Sequence, residues 1–317
     1  MEAPDTYDEY HDVLVAFRDK YACPEPFALQ PTGAMSGDYL AAGYGVTAYT
    51  SGGDMANVGF YVEDGVAKYG PAQQGFYDYL QMLRQWYEED LFSSEFVTWS
   101  DRTAYEKMVL NSETGLFYAS MDRGMALEKN IHGGGKLIAI PDAVKAEGDA
   151  THLSNHGNAS TVGQTFSTFA GTTKADLCVR WCDFWYSELG TQLWNYGTPE
   201  EILPEEINPM NRCTLLPGIV DQELSYLSLI GPIKEVVDTW SQGRDNEWRL
   251  PSDMQLSEND QQRFSILAQG LTTAVTVYTT KVIVGEESLD NWDAYIAQLN
   301  EYGLQKCLDC LNAYLAK

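Results

Sequence analysis

Apolar residues recur at three- and four-residue spacing in several long stretches of the chain. Between Gly75 and Asp90 the set is Phe76, Tyr79, Leu80, Leu83, Trp86 and Tyr87, which puts one aromatic stripe along a helix and predicts a core face rather than a ligand platform. The same period places Tyr10, Val13, Leu14 and Phe17 on a first helix. Its start is marked by Thr6, whose hydroxyl caps while Glu9, three residues on, reaches back. Leu177, Cys178, Trp181, Phe184 and Trp185 predict a further amphipathic helix, expected to stop at Gly190, where a glycine accommodates the left-handed turn of a helix end. A polar helix is expected around Trp99 to Val109, and a helix pair interrupted at Gly231-Pro232 over Ile219 to Trp240. Ser257 is placed to cap a long helix running to about Tyr278. The chain closes on two amphipathic helices in which Trp292, Tyr295, Leu299 and Leu304 are core.

Short β-branched and aromatic runs alternate with these helices. Phe27 to Gln30, Gly115 to Ala119 and Lys136 to Pro141 read as strands, the last two buried. Val58 to Tyr69 reads as a structural hairpin turning at Asp64-Gly65. Strands alternating with helices give an α/β chain, and in open α/β sheets ligands gather beyond the carboxyl ends of strands. Gln30, Thr32 and Met35 after one strand are therefore candidate ligand contacts, and Ser120 to Arg123 read as the loop at the carboxyl end of another. An ordinary strand end accounts for any one of the first group as well. Asp122 beside Arg123 supplies an acceptor and a donor fork, or a plain solvated ion pair.

Composition narrows the function classes. The 317 residues hold 46 acidic and 20 basic side chains, a net charge of −26, so phosphate backbones and anionic lipid surfaces are repelled and nucleic-acid binding is not expected. No apolar run reaches the length of a membrane-spanning helix, and the first residues lack the pattern of a signal peptide. Cys178 with Cys182, and Cys307 with Cys310, sit as near neighbours within helical patterns and read as buried free thiols. His152 and His156 lie four apart in a Gly- and Asn-containing loop from Asp142 to Ser160 that is not expected to be helical, so neither a metal site nor a cofactor is expected. No nucleophile elbow, phosphate loop or His/Cys dyad is present.

Three segments resemble family 1 extracellular solute-binding proteins, the carbohydrate receptors of bacterial ABC importers. One is the strand, turn and helix with Lys174-Ala175, Arg180-Trp181, Asp183, Tyr186-Ser187 and Gly190, followed by Asn195-Tyr196-Gly197. The second is Pro4 with Thr6-Tyr7-Asp8-Glu9, and the third is Gly285-Glu286, Leu289, Trp292-Asp293 and Tyr295. The resemblance implies a helix-rich, type II periplasmic-binding-protein-like two-lobe α/β fold, N-terminally truncated, with Met1 at an internal position of a longer receptor. Residues 1–162 and 219–317 are then the C-terminal lobe, and residues 163–218 are a remnant of the N-terminal lobe that carries the crossover. It further implies that Tyr118, Ser120, Met121, Asp122 and Arg123, at and after the Gly115 strand, line the ligand cleft, with a sugar or oligosaccharide as ligand and ABC transporter permease subunits as partners. The full-length form is expected to be extracellular and held to the membrane only by a lipid anchor.

Sugar rings need aromatic platforms and short polar partners. Tyr118, Phe166 and Trp194 are the candidate platforms, Trp194 being equally readable as core. Gln30, Thr32, Ser120, Asp122 and Gln164 are the hydrogen-bonding candidates. A receptor lacking part of one lobe is expected to hold sugar poorly. An interaction module descended from such a receptor and a glycoside-acting enzyme stay open as alternatives, the latter requiring two carboxylates at a fixed separation.

Overall fold

Thr6 opens the first helix as its hydroxyl predicts. Its oxygen accepts from the Glu9 amide at 3.3 Å, and the Glu9 carboxylate accepts from the amides of Thr6 and Asp5 at 3.0 and 2.9 Å. This helix, α1 (Tyr7–Asp19), buries Tyr7, Tyr10 and Leu14. The structure is a computed structural model that describes residues 3–29, 38–47, 59–99, 103–119, 121–153, 168–196, 232–240, 247–251 and 254–316. Its contacts divide the chain into two units, Met1–Asn158 with Thr239–Lys317, and Ala159–Asp238.

In the first unit, β1 (Glu25–Ala28) is followed by the single turn α2 (Asp38–Ala41), and by a hairpin of β2 (Phe60–Glu63) and β3 (Val66–Tyr69). Asp64 and Gly65 at its turn both have positive φ, 53° and 75°, the geometry that matches the right-handed twist of the flanking strands. Next come α3 (Gln74–Glu88), a 3₁₀ turn at Ser94–Thr98, α4 (Thr103–Leu110), β4 (Thr114–Phe117) and α5 (Met121–Glu128). The unit is completed by α9 (Glu258–Val284), α10 (Trp292–Glu301) and α11 (Leu304–Leu315). The second unit holds α6 (Ala175–Tyr186) and α7 (Glu188–Tyr196), and α8 (Pro232–Trp240) ends just past its last residue, Asp238.

β1 and β4 pair in parallel, Glu25 opposite Thr114, Phe27 opposite Leu116 and Ala28 opposite Phe117. Strand alternation sends Phe27, Leu29 and Leu116 to the main core, and Ala28 and Phe117 to a smaller one with Tyr105, Val109 and Leu127. The pair is thus covered on both faces, by α1 on one and by α4 and α5 on the other, the layering expected of parallel strands. Gly115 permits the close approach of α1: a Cβ there would lie 2.2 Å from the Phe17 ring. The main core is built where α3 packs on α9 and α9 on α10 and α11. Phe76, Tyr79, Leu80, Leu83 and Trp86 supply one side of it. Tyr278 stacks on Tyr295 with ring centroids 3.9 Å apart, and Leu299 and Leu304 are buried as expected.

Several expectations are corrected. Lys136 to Pro141 forms no ladder. Its backbone groups are taken by side chains instead: the Leu137 amide donates to Glu128 at 2.8 Å, the Ile140 carbonyl accepts from Trp240 Nε1 at 3.1 Å, and the Pro141 carbonyl accepts from the Tyr10 hydroxyl. Met121 to Arg123 is the first turn of α5 rather than a loop. β4 is half-buried, not buried, and ends at Phe117. The helix capped by Ser257 runs on to Val284 and stops at Gly285, whose φ is 80°. Gly190 does not end a helix. The break falls at Ser187, whose hydroxyl donates to the Phe184 carbonyl at 2.6 Å and accepts from the Gly190 amide at 3.1 Å. Gly190 is needed there because a Cβ would sit 2.0 Å from the Phe184 carbonyl oxygen. Cys307 is a buried thiol, whereas Cys178, Cys182 and Cys310 are half-buried. Of the expected helix pair, Pro232–Trp240 is helical and residues 219–231 lie outside the described residues.

Candidate functional site

Because β1 and β4 are adjacent and parallel, their carboxyl ends meet at one edge of the sheet. The runs beginning at Leu29 and at Tyr118 leave from that edge, so the pairing brings together two segments that are about ninety residues apart in sequence. Beneath it lies the small core of Ala28, Tyr105, Val109 and Leu127, with the Tyr105 and Phe117 rings 6.1 Å apart. Tyr118 follows directly and is 42% exposed, an aromatic surface at a strand's carboxyl end.

Arg123 projects from the first turn of α5 and is engaged by Glu106 of α4. Its Nε donates to Glu106 Oε1 at 2.5 Å, and its Nη2 donates to Oε2 of the same carboxylate. The side chains of Glu106 and Arg123 are 15% and 41% exposed. A fork-to-fork pair of this kind is directional and largely shielded on its acidic side. The helices α4 and α5 pack against each other, which is what brings Glu106 to Arg123.

Tyr118 and Arg123 are therefore brought to one edge. Asp122 is the second residue of α5 and Trp194 lies in α7, their side chains being outside the described set. Gln30, Thr32, Met35, Ser120, Gln164 and Phe166 lie outside the described residues. Glu106 was not singled out from sequence, since nothing near it in the chain signals Arg123.

The opposite, amino end of β1 carries a second feature that the sequence reading missed. A cleft of about 570 Å³ is lined by Pro24, Glu25, Tyr87, Glu88, Asp90 and Phe92, among others. Glu25 is 5% exposed, and its Oε1 accepts from the Ser93 amide at 2.6 Å. Burial pushes its carboxyl up to about 7, with Glu95 pushing the same way and the Ser93 bond opposing. This end of a parallel strand is not where α/β folds place ligands. His152 stacks on Trp248 at 4.3 Å, and Trp248 on Tyr61 at 6.0 Å. His152 is thus part of an aromatic stack, and among the described residues no group of three or more His, Cys, Asp or Glu side chains is arranged to hold a metal ion. Among the described residues no helix is long and apolar enough to cross a membrane.

No protein-family model matches the chain, and no curated protein matches it. Solved structures do. The HMO-binding ABC-transporter-associated solute-binding protein from Bifidobacterium longum infantis ATCC 15697 aligns with a TM-score of 0.72 at 16% identity, over 99% of this chain and 70% of that one. The alginate-binding protein AlgQ2 without calcium ion aligns at 0.65 and 18% identity, over 100% and 69%. The S. pneumoniae ABC-transporter substrate-binding protein FusA in complex with kestose aligns at 0.63 and 17%, over 100% and 69%. This chain has the type II periplasmic-binding-protein-like fold of those solute-binding proteins, as the resemblance implied. These neighbours are binding proteins rather than enzymes.

Proposed function

We propose that this chain is the substrate-binding component of a bacterial ABC importer and captures a sugar or oligosaccharide at the carboxyl edge of β1 and β4. The observation that carries the reading is the parallel pairing of β1 with β4, which sets their carboxyl ends side by side at the sheet end where folds of this architecture hold ligands. Fold likeness alone would not carry it; the structural neighbours that bind HMO, alginate and kestose support the ligand class. Tyr118 serves as a platform for a sugar face, with Gln30, Thr32, Ser120 and Asp122 bonding hydroxyls. Gln164, Phe166 and Trp194 are further proposed sugar contacts. Residues 1–162 with 219–317 form one lobe and residues 163–218 belong to the other, a reading supported by the division into two units, whose second boundary falls at Thr239. The chain acts as a binding protein, not an enzyme, in an extracellular, lipid-anchored receptor that delivers its ligand to permease subunits.

Isothermal titration calorimetry against an oligosaccharide panel tests this. At least one glycan is expected to bind, with low affinity, and Tyr118→Ala is expected to weaken that binding roughly threefold to tenfold through loss of ring stacking. Absence of heat and of any melting-temperature shift across the panel would sink the receptor reading. Release of reducing ends would favour an enzyme instead.

A further inference from the structure

We infer that the cleft at the amino end of β1 is a second binding site, one that takes a primary alkylammonium group on the Glu25 carboxylate. The inference stands apart from the sugar-receptor reading, because the cleft lies at the opposite end of β1 from the candidate edge and its lining residues all belong to the first unit. The exit of α3 crosses the start of β1 here, the Phe27 amide donating to the Leu91 carbonyl at 3.0 Å. That crossing leaves an opening of about 570 Å³ whose floor is Glu25, Pro26 and Phe92, all buried. Tyr87 is a half-buried wall, and Glu88 and Asp90 stand exposed at the rim. Glu25 is 5% exposed, and its Oε1 accepts from the Ser93 amide at 2.6 Å. Among the described residues no donor reaches its Oε2, which is nevertheless not sealed from solvent. A buried carboxylate with one oxygen unanswered and open to a cleft favours a cationic donor.

The protein's own cations do not supply that donor. Arg84 is paired with Glu88 at 2.6 Å, Arg18 with Asp19 at 2.6 Å, and His11 with Glu89 at 2.6 Å. Among the described residues no basic side chain forms an ion pair with Glu25 or Asp90. The geometry also selects among cations. No group of three metal-ligating side chains is assembled among the described residues, so a bare divalent ion lacks its ligands. A guanidinium is best held by two carboxylate oxygens, and Oε1 is already committed to Ser93. A quaternary ammonium has no N–H to give Oε2 and needs aromatic faces, whereas the Tyr87 ring already carries the Arg84 guanidinium at 5.8 Å. An ammonium needs a single acceptor point, and its alkyl stem lies on Phe92, Pro26 and Tyr87. The titratable groups around Glu25 are Tyr87, Glu88 and Asp90 in the cleft, Glu95 on the 3₁₀ turn, and Cys23 and Glu113 beside the strand starts. Burial pushes the Glu25 carboxyl up to about 7, and Glu95 adds to the rise. An ammonium binds the ionised form and displaces a proton, so affinity increases as pH rises through this value.

The test is a titration of the chain, followed by calorimetry and by amide chemical shifts, with n-butylammonium, putrescine and Nα-acetyl-lysine methylamide. Butylguanidinium, choline and butanol are the comparison ligands. Saturable binding of an ammonium is expected, with butylguanidinium and choline at least about tenfold weaker and butanol silent. Binding by the lysine amide as tight as by butylammonium makes a peptide lysine the source of the group, and weaker binding makes it a free amine; either outcome supports the site. Affinity is expected to be about tenfold higher near pH 8 than near pH 6. Glu25→Gln keeps an oxygen for the Ser93 amide, and is expected to weaken binding at least about tenfold and to flatten the pH profile. Asp90→Asn is expected to weaken it about threefold, and Glu301→Gln, on the exposed side of α10, not at all. Circular dichroism establishes that each variant is folded, and the ligand ranking and pH profile of the unaltered chain decide the matter even where E25Q is not. No saturable binding, guanidinium binding as tight as ammonium, or equal losses in folded E25Q and E301Q overturns the inference. The last of these would leave only diffuse attraction to a chain of net charge −26. None of these outcomes bears on whether the chain binds sugar.

Discussion

Helices α3 and α6 carry nearly the same pattern of aromatic and aliphatic positions, yet their surroundings are opposite. In α3, Phe76, Tyr79, Leu80 and Leu83 are fully covered, because α9 and the elements around it close over the stripe. In α6, Leu177, Trp181 and Phe184 remain 62%, 43% and 37% exposed, and no residue of the helix is buried. Covering a side chain of this size contributes about 1.5–3 kcal/mol, so the α3 stripe collects a stabilisation that the described neighbours of α6 do not supply. A periodic stripe states that a helix has an apolar face. It does not state what covers that face.

The contrast is open to direct attack. Leu83→Ala is expected to lower unfolding free energy by about 2–5 kcal/mol, since it leaves a cavity in a closed core. Leu177→Ala is expected to change it by no more than about 0.5 kcal/mol. Denaturant titrations of the two variants side by side settle the matter, and equal losses would mean that α6 is as well covered as α3.

The closed region also carries the cost of a buried acid. The folded-state value of Glu25, about 7, lies above the ordinary 4.5, so between these values the folded chain holds more protons than the unfolded one. Stability from this group is fully present below about 4.5 and is lost as pH rises through about 7. Glu25→Gln removes that dependence. Between about pH 5 and pH 8 the unaltered chain is expected to lose on the order of 1–3 kcal/mol more than the variant. Parallel stability curves for the two proteins would show Glu25 to be better solvated than its 5% exposure indicates.

Two glycines sharpen the comparison at smaller scale. Gly190→Ala pushes a methyl to 2.0 Å from the Phe184 carbonyl oxygen and is expected to cost about 1–3 kcal/mol by overpacking. The loss should appear as faster amide exchange across residues 175–196, with the exchange of α3 unaltered. Gly270→Ala in α9 meets nothing nearer than the Tyr302 ring at 3.4 Å and is expected to stabilise by about 0.5–1 kcal/mol through helix propensity. A thermal melt that falls for G270A would show that α9 has no room for the added methyl.

What could be read from sequence was local. Thr6 with Glu9, the Ser257 cap, and Asp64-Gly65 each fix backbone within four residues, and each stands in the structure as its chemistry requires. The apolar periods of α1, α3, α10 and α11 are equally local, and so were the strand assignments around Phe27 and Leu116. Ser187 shows the limit of such reading: a hydroxyl and a glycine both offered a helix end, and the hydroxyl's two hydrogen bonds decided it.

Tertiary structure decided what depends on distant partners. An apolar run such as Lys136 to Pro141 looks the same whether its carbonyls meet a neighbouring strand or the Tyr10 hydroxyl and Trp240 indole, and only packing selects between them. The pairing of Ala28 with Phe117 creates the candidate edge, yet no residue near either encodes the other. Glu106 and Arg123 become a fork-to-fork pair, and Glu25 a buried acid beside Ser93, because helices and loops far apart in the chain are packed together. The sequence therefore determined the elements, whose hydrogen bonds close within a few residues. The choice of which charges are neutralised, and which apolar faces are covered, belonged to contacts that exist only once the chain has folded.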